Sequence, residues 1–173
     1  MKPPGPIALR AMQEAQANEG VTEENGSNWG TYVKIYLAAV GLFSPAPWCQ
    51  AFVVFRLLDA AADLKLQVPQ NMPRTAYTPD FANWAKEEGL WLPNRDELHG
   101  QVRPGDLCYF YFKTLGRVGH VGFVTGVYHW GVTTVEGNTG RAPGVNRDGG
   151  GVWKRNRTWE SFGSKGGFVR LPF

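Results

Sequence analysis

The stretch Pro45-Ala46-Pro47-Trp48-Cys49-Gln50-Ala51-Phe52-Val53-Val54-Phe55-Arg56-Leu57-Leu58-Asp59-Ala60-Ala61 decides how the chain is read. The prolines fix an entry, and Pro suits a first helical position because it has no N–H to satisfy. From Ala51 to Leu58 only Arg56 is polar. A helix apolar nearly all round has to be wrapped by the rest of its domain. The expectation is a central, buried helix whose N-terminus carries Cys49.

Upstream, residues 7–18 read as a helix with Ala8, Ala11, Met12 and Ala15 on one face. Residues 19–27 form a polar loop. A second helix follows, with Trp29, Val33, Tyr36 or Leu37, and Val40 at helical spacing, Ser27 or Asn28 as cap and Gly41 as stop. Downstream come a loop over Gln67–Tyr77 and a short helix from about Pro79 to Glu88. From Pro104 the texture changes. Leu107–Phe112, His120–Tyr128, Val132–Asn138, Gly151–Arg155 and Gly167–Leu171 read as strands between Gly-, Asn- or Asp-rich turns. Helices first and strands after, without βαβ alternation, predict an α+β fold with the helices on an antiparallel sheet. Residues 1–173 are expected to make one domain, with residues 1–24 as a helical extension packed on it.

Composition narrows the classes. Twenty-two Gly and twelve Pro in 173 residues argue for many turns and against a helical bundle. Thirteen percent aromatics excludes a disordered chain. No apolar run approaches the ~20 residues of a membrane span, and Met1-Lys2-Pro3-Pro4-Gly5-Pro6 does not lead into a signal-peptide core. Two Cys and three His lack zinc-ligand spacing, so no metal or cofactor is expected. Residues 140–173 carry seven Lys/Arg against Asp148 and Glu160, a surplus of five in a chain of net charge +3. No nucleic-acid-binding motif accompanies it. An anionic wall polymer could use such a basic end, and a solvated surface is the plainer reading.

Chemistry concentrates on a few residues. A thiol is a poor nucleophile until ionised, and a helix N-terminus favours the anion through its unpaired N–H groups and macrodipole. Those N–H groups also suit an oxyanion. Cys108, inside Leu107-Cys108-Tyr109-Phe110-Tyr111-Phe112, reads as inert packing. His120, directly after Gly116-Arg117-Val118-Gly119, is the candidate base, placed at the sheet rim. If its strand and the next are joined by the three residues Tyr128-His129-Trp130, Asn138 falls opposite His120, with Glu136 on the same face. A two-residue loop would separate them unless a bulge restored the face. In the favourable case an acceptor fixes the tautomer whose Nε2 takes the proton of Cys49.

Three blocks then resemble a known family. Asn28-Trp29-Gly30 through Leu42, with Pro45-Ala46-Pro47-Trp48-Cys49-Gln50-Ala51-Phe52-Val53, is similar to the nucleophile region of CHAP domains (cysteine, histidine-dependent amidohydrolase/peptidase). Pro104-Gly105-Asp106-Leu107 and Gly119-His120-Val121-Gly122-Phe123-Val124-Thr125-Gly126-Val127 resemble their histidine strand. Thr133-Thr134-Val135-Glu136-Gly137-Asn138-Thr139 resembles their acidic strand. The resemblance covers about residues 25–170, with the blocks in the family's order.

It implies a papain-like fold related to the NlpC/P60 superfamily, and hydrolysis of a peptidoglycan amide in the bacterial cell wall or periplasm. Cys49 would be nucleophile, His120 base, Glu136 orienting carboxylate and Asn138 an auxiliary polar group. Cys49 and His120 are expected to rest as a thiolate–imidazolium pair. Gln50 and Asn28 are candidates for a second oxyanion donor, and Trp48 for the groove wall or the core. Some family members bind calcium through acidic residues before the nucleophile, but Val40 to Trp48 contains no Asp or Glu. The Glu23-Glu24-Asn25 loop reads as solvated. Bacterial peptidoglycan is the expected partner, without nucleic acid or membrane; a delivered toxin would add an inhibitor or immunity protein. The rival readings are a papain-like protease, deamidase or acyltransferase acting on a protein, and a catalytically silent wall-binding module.

Overall fold

The computed structural model describes residues 2–24, 26–142, 144 and 149–173. Among the described residues five helices precede or interleave with six strands: α1 (Pro6–Ala17), α2 (Thr31–Ala38), α3 (Cys49–Asp63), α4 (Thr78–Glu87), β1 (Trp91–Pro93), α5 (Asp96–His99), β2 (Leu107–Phe112), β3 (Arg117–Tyr128), β4 (Gly131–Thr139), β5 (Gly151–Thr158) and β6 (Gly167–Val169). A 3-10 turn over Trp159–Phe162 links the last two strands. The sheet is antiparallel throughout, in the order β1-β6-β2-β3-β4-β5. The chain is therefore α+β. Reading the sequence missed β1 and α5, which are only three and four residues long.

Helix α3 is the hub. Ala51, Phe52, Val53, Val54, Leu57 and Ala60 are fully buried, and each of the larger side chains contributes roughly 1.5–3 kcal/mol by leaving water. The helix starts at Cys49 with Trp48 as N-cap, so the prolines lie outside it and occupy no helical position. Its docking on the sheet is close. A Cβ on Gly137 of β4 would lie 2.8 Å from the Phe52 ring, so only glycine admits this approach. That contact fixes the first turn of α3 beside the stretch of β4 that carries Glu136 and Asn138.

α1 buries Ile7, Ala8, Ala11, Met12 and Ala15 in the same core. The chain ends meet there: Gly5 N–H donates to Leu171 O at 2.8 Å and Ala8 N–H to Phe173 O at 3.2 Å. A second apolar cluster, including Cys108, Phe110, Val124, Val132, Phe162 and Phe168, completes the interior.

Two expectations about local structure need correction. α2 is capped by neither Ser27 nor Asn28. The Glu24 carboxylate, seven residues before the first residue of the helix, instead accepts from Thr31 N–H at 2.8 Å and Thr31 Oγ1 at 2.7 Å. Asn28 sits in the left-handed region (φ 54°), where it cannot act as the extended residue an N-cap requires. The loop before it is not simply solvated. Glu23 accepts from Trp48 Nε1 at 2.7 Å and from Asn28 N–H at 2.9 Å, tying the loop to the start of α3. Asn25 and the segment 145–148, with Arg147 and Asp148 of the basic end, lie outside the described residues.

Candidate active site

The hairpin of β3 and β4 sets the register of the site. Its loop is the pair His129-Trp130, because Tyr128 faces Gly131. The three-residue loop assumed above is therefore not formed, and an unmodified ladder would have turned His120 away from Glu136. A bulge between Val124 and Gly126 takes up one residue, and beyond it Val124 faces Thr134 and Phe123 faces Val135. One extra residue on one strand reverses the facing of everything past it. His120, Gly122 and Glu136 thereby share a face.

Gly122 makes room for the contact. A Cβ there would sit 2.5 Å from Glu136 Cγ and 2.9 Å from Val135 O. The Glu136 side chain occupies that space and reaches His120, whose Nε2 donates to Oε2 at 2.8 Å. His120 is not at a strand opening as expected. β3 starts at Arg117, and the imidazole is completely buried, with the Phe110 ring 5.3 Å from its centre. A bulge at Gly119, between the Tyr111–Val118 and Phe110–His120 pairs, sets its orientation.

With Nε2 engaged by Glu136, the nitrogen left for the thiol is Nδ1. This corrects the expectation that Nε2 takes the Cys49 proton. Nδ1 is buried and has no hydrogen bond of regular geometry, yet the Cys49 thiol is close enough to influence the ring's proton affinity through a hydrogen bond. Burial is the largest single influence on the imidazole and pulls its pKa down. Hydrogen bonds and charge from Cys49 and Glu136 together outweigh it and raise the value to about 9.

Glu136 is held more firmly than the sequence indicated. Arg157 of β5 grips it with a two-pronged ion pair, Nε to Oε1 at 2.7 Å and Nη2 to Oε2 at 2.6 Å. Thr134 Oγ1 adds a third donor group, 2.6 Å from Oε1. Burial acts most strongly on Glu136 and pushes its pKa up, but the bonds from Arg157 and His120 and their charges bring it down to about 2. The carboxylate therefore stays anionic beside the imidazole. Arg157 was missed because its contact to Glu136 spans 21 residues. The register places it opposite Val132, on the face shared with Thr134 and Glu136, so an Arg on β5 at matching parity was the available signal.

Asn138 lies in the same strand but makes neither of these bonds. It is fully buried in the left-handed region (φ 54°), where β4 shifts register between Glu136 and Thr139, and its Oδ1 and Nδ2 find no partner among the described residues. Of the two oxyanion candidates, Gln50 has its Oε1 occupied by the Tyr109 hydroxyl at 2.8 Å, leaving a buried Nε2 without an acceptor. Asn28 has a buried Oδ1 without a donor among the described residues. Trp48 is fully buried, with its ring N–H on Glu23, so it packs and does not line the groove. Cys108 is buried too, donates to Gly122 O at 3.4 Å, and has its pKa pushed well up, chiefly by burial.

A groove of about 230 Å³ opens at Cys49, lined also by Ala46, Pro47, Tyr77, Thr78, Arg117 and Gly119. The basic end is less open than its composition suggests. Arg157 is committed to Glu136, Arg170 to Asp106 at 2.7 Å, and Lys154 to Glu19 at 2.8 Å. Among the described residues no helix is long and apolar enough to cross a membrane, and no group of three or more His, Cys, Asp or Glu could hold a metal ion. No family model, curated protein or solved structure matches the chain.

Proposed function

We propose that the protein is a cysteine amidohydrolase of the papain-like, CHAP-related kind that cleaves an amide bond of bacterial peptidoglycan in the cell wall or periplasm. The observation that carries this reading is the line of groups Cys49, His120, Glu136 and Arg157. A groove-lining thiol on the first residue of a buried helix neighbours an imidazole whose far nitrogen is fixed by a carboxylate. The order of the parts along the chain, helix with thiol, strand with His, strand with Glu, is that of the family the sequence resembles.

In the proposed reaction the proton shared by Cys49 and His120 already rests on Nδ1 of the imidazole, whose pKa is raised to about 9, and Sγ bonds to the amide carbonyl carbon. The N–H groups of the first turn of α3 have no partner within the helix and hold the developing oxyanion. The C–N bond then breaks as His120 returns the proton to the leaving amine. Water, deprotonated at the same Nδ1, attacks the thioester and the C–S bond breaks to free the acid. Glu136 accepts no proton in this scheme; it holds Nε2, so that Nδ1 is the nitrogen turned to the thiol, and balances the imidazolium. Asn138, fully buried near the end of the same strand, would act as an auxiliary polar group within the site and not as a contact to substrate.

Wild type and Cys49→Ala should be incubated with purified peptidoglycan and with a panel of proteins, and the released fragments identified by mass spectrometry. New amine and carboxyl ends from the wall, absent with Cys49→Ala, are expected. Fragments from the proteins alone would move the substrate to that class, and undiminished release by Cys49→Ala would overturn the nucleophile.

A further inference from the structure

We propose that Arg117 is the substrate-recognition residue of the Cys49 groove, and that the amide cleaved carries a carboxylate close to the scissile bond. The proposal rests on the reading of Cys49 as nucleophile and extends it to the class of substrate. Arg117 opens β3, three residues before His120, and lines the same groove as the thiol. Its guanidinium lies over the Tyr77 ring, 4.7 Å from the centre, and Nη1 donates to Val118 O at 2.9 Å. Thr78 Oγ1 donates to that same carbonyl at 3.0 Å, which ties the Tyr77-Thr78 side of the groove to the strand.

These contacts orient the guanidinium without neutralising it. Among the described residues Arg117 takes part in no ion pair. The contrast with Arg157 and Arg170 is informative, since each of those is buried against a carboxylate of the chain. Apart from the thiol, the groove walls named above carry no other ionisable group except the Tyr77 phenol. A planar fork stacked on an aromatic ring, with donors to spare, is suited to a planar carboxylate. At about 230 Å³ the groove is smaller than the ~300 Å³ lower bound for drug-sized ligands. It therefore accepts a short part of the substrate, which puts the carboxylate near the bond that is cut. Stem peptides of a wall and acidic segments of a protein both offer this chemistry.

The first test needs no substrate. Cys49 is alkylated with iodoacetate, which is anionic, and with iodoacetamide, its neutral isostere; in both, sulfur displaces iodide from carbon. The rate ratio is referred to that of glutathione. Wild type is expected to favour iodoacetate, and Arg117→Gln to lower the preference by about 5- to 10-fold, a ratio in which any change in the reactivity of the thiol itself cancels. Arg117→Lys should retain part of it. An unchanged ratio in Arg117→Gln overturns the role of Arg117 and leaves the nucleophile standing, whereas no reaction of Cys49 with either reagent overturns both. In the second arm, amide substrates from wall stems and from acidic peptides are each offered with the neighbouring carboxylate free or converted to carboxamide. A higher kcat/KM for the free acid in wild type but not in Arg117→Gln, in either series, supports the proposal and identifies the source. Equal values in both series refute it.

Discussion

Replacing Arg157 by Met tests the electrostatic core of the site. The substitution keeps much of the volume and removes the charge that faces Glu136. In the wild type both partners are out of water, with the Arg157 and Glu136 side chains 3% and 0% exposed. Breaking a buried pair by deleting one partner costs about 3–5 kcal/mol, because the other charge is left uncompensated. The titration points the same way: against the upward pull of burial, the bonds and charges of Arg157 and His120 together bring Glu136 from an ordinary 4.5 down to about 2. The folded-state pKa is depressed, so this stabilisation is present above pH 4.5 and is lost as the pH falls towards 2. Urea unfolding followed by Trp fluorescence should show Arg157→Met about 3–5 kcal/mol below wild type at pH 7. The gap should narrow at pH 3, where the unpaired Glu136 takes up a proton. Lys154→Met is the control: its partner Glu19 is 38% exposed, and such surface pairs contribute ~0–1 kcal/mol. A deficit below about 1 kcal/mol at pH 7, or one as large at pH 3, would refute the reasoning.

Gly122→Ala should push the Glu136 side chain off His120, given the 2.5 Å separation from Cγ. A stability loss of about 1–3 kcal/mol in urea, together with slower alkylation of Cys49 near neutral pH, is expected; an unaltered alkylation profile would show that Glu136 does not act through the imidazole. The His120 pKa is raised in the fold, so its contribution is fully present below pH 6.5 and lost as pH rises through about 9. Wild-type urea midpoints should therefore fall across that interval, and His120→Gln should flatten the curve; identical slopes would exclude the coupling.

How far the sequence could be read depended on the range of each interaction. α3 was legible because its apolar run and its proline entry are contiguous, and the long strands because turn residues bracket them. The short elements β1 and α5 carry too few residues for a period to show. The facing of His120 and Glu136 was reached by parity, but through a loop one residue too long; the actual loop is shorter and the bulge at Thr125 compensates. No local preference distinguishes those two solutions. Arg157 comes from a third strand paired beside the hairpin, a long-range partner that no local stretch encodes. The Glu23–Trp48 bond is similar: a carboxylate in a polar loop reads as hydrated until the indole N–H that it accepts from is folded against it.

The meeting of the two ends at Gly5 and Leu171 has a topological consequence. Because the first and last segments are already hydrogen-bonded neighbours, a short peptide joining them would leave every other contact undisturbed, and the backbone could be reopened elsewhere. The His129-Trp130 turn, remote in sequence from Cys49, is a natural place for new ends. Such a rearranged polypeptide would begin with the Glu136 strand and finish with the His120 strand, separating by almost the whole chain two residues that the native gene places sixteen apart.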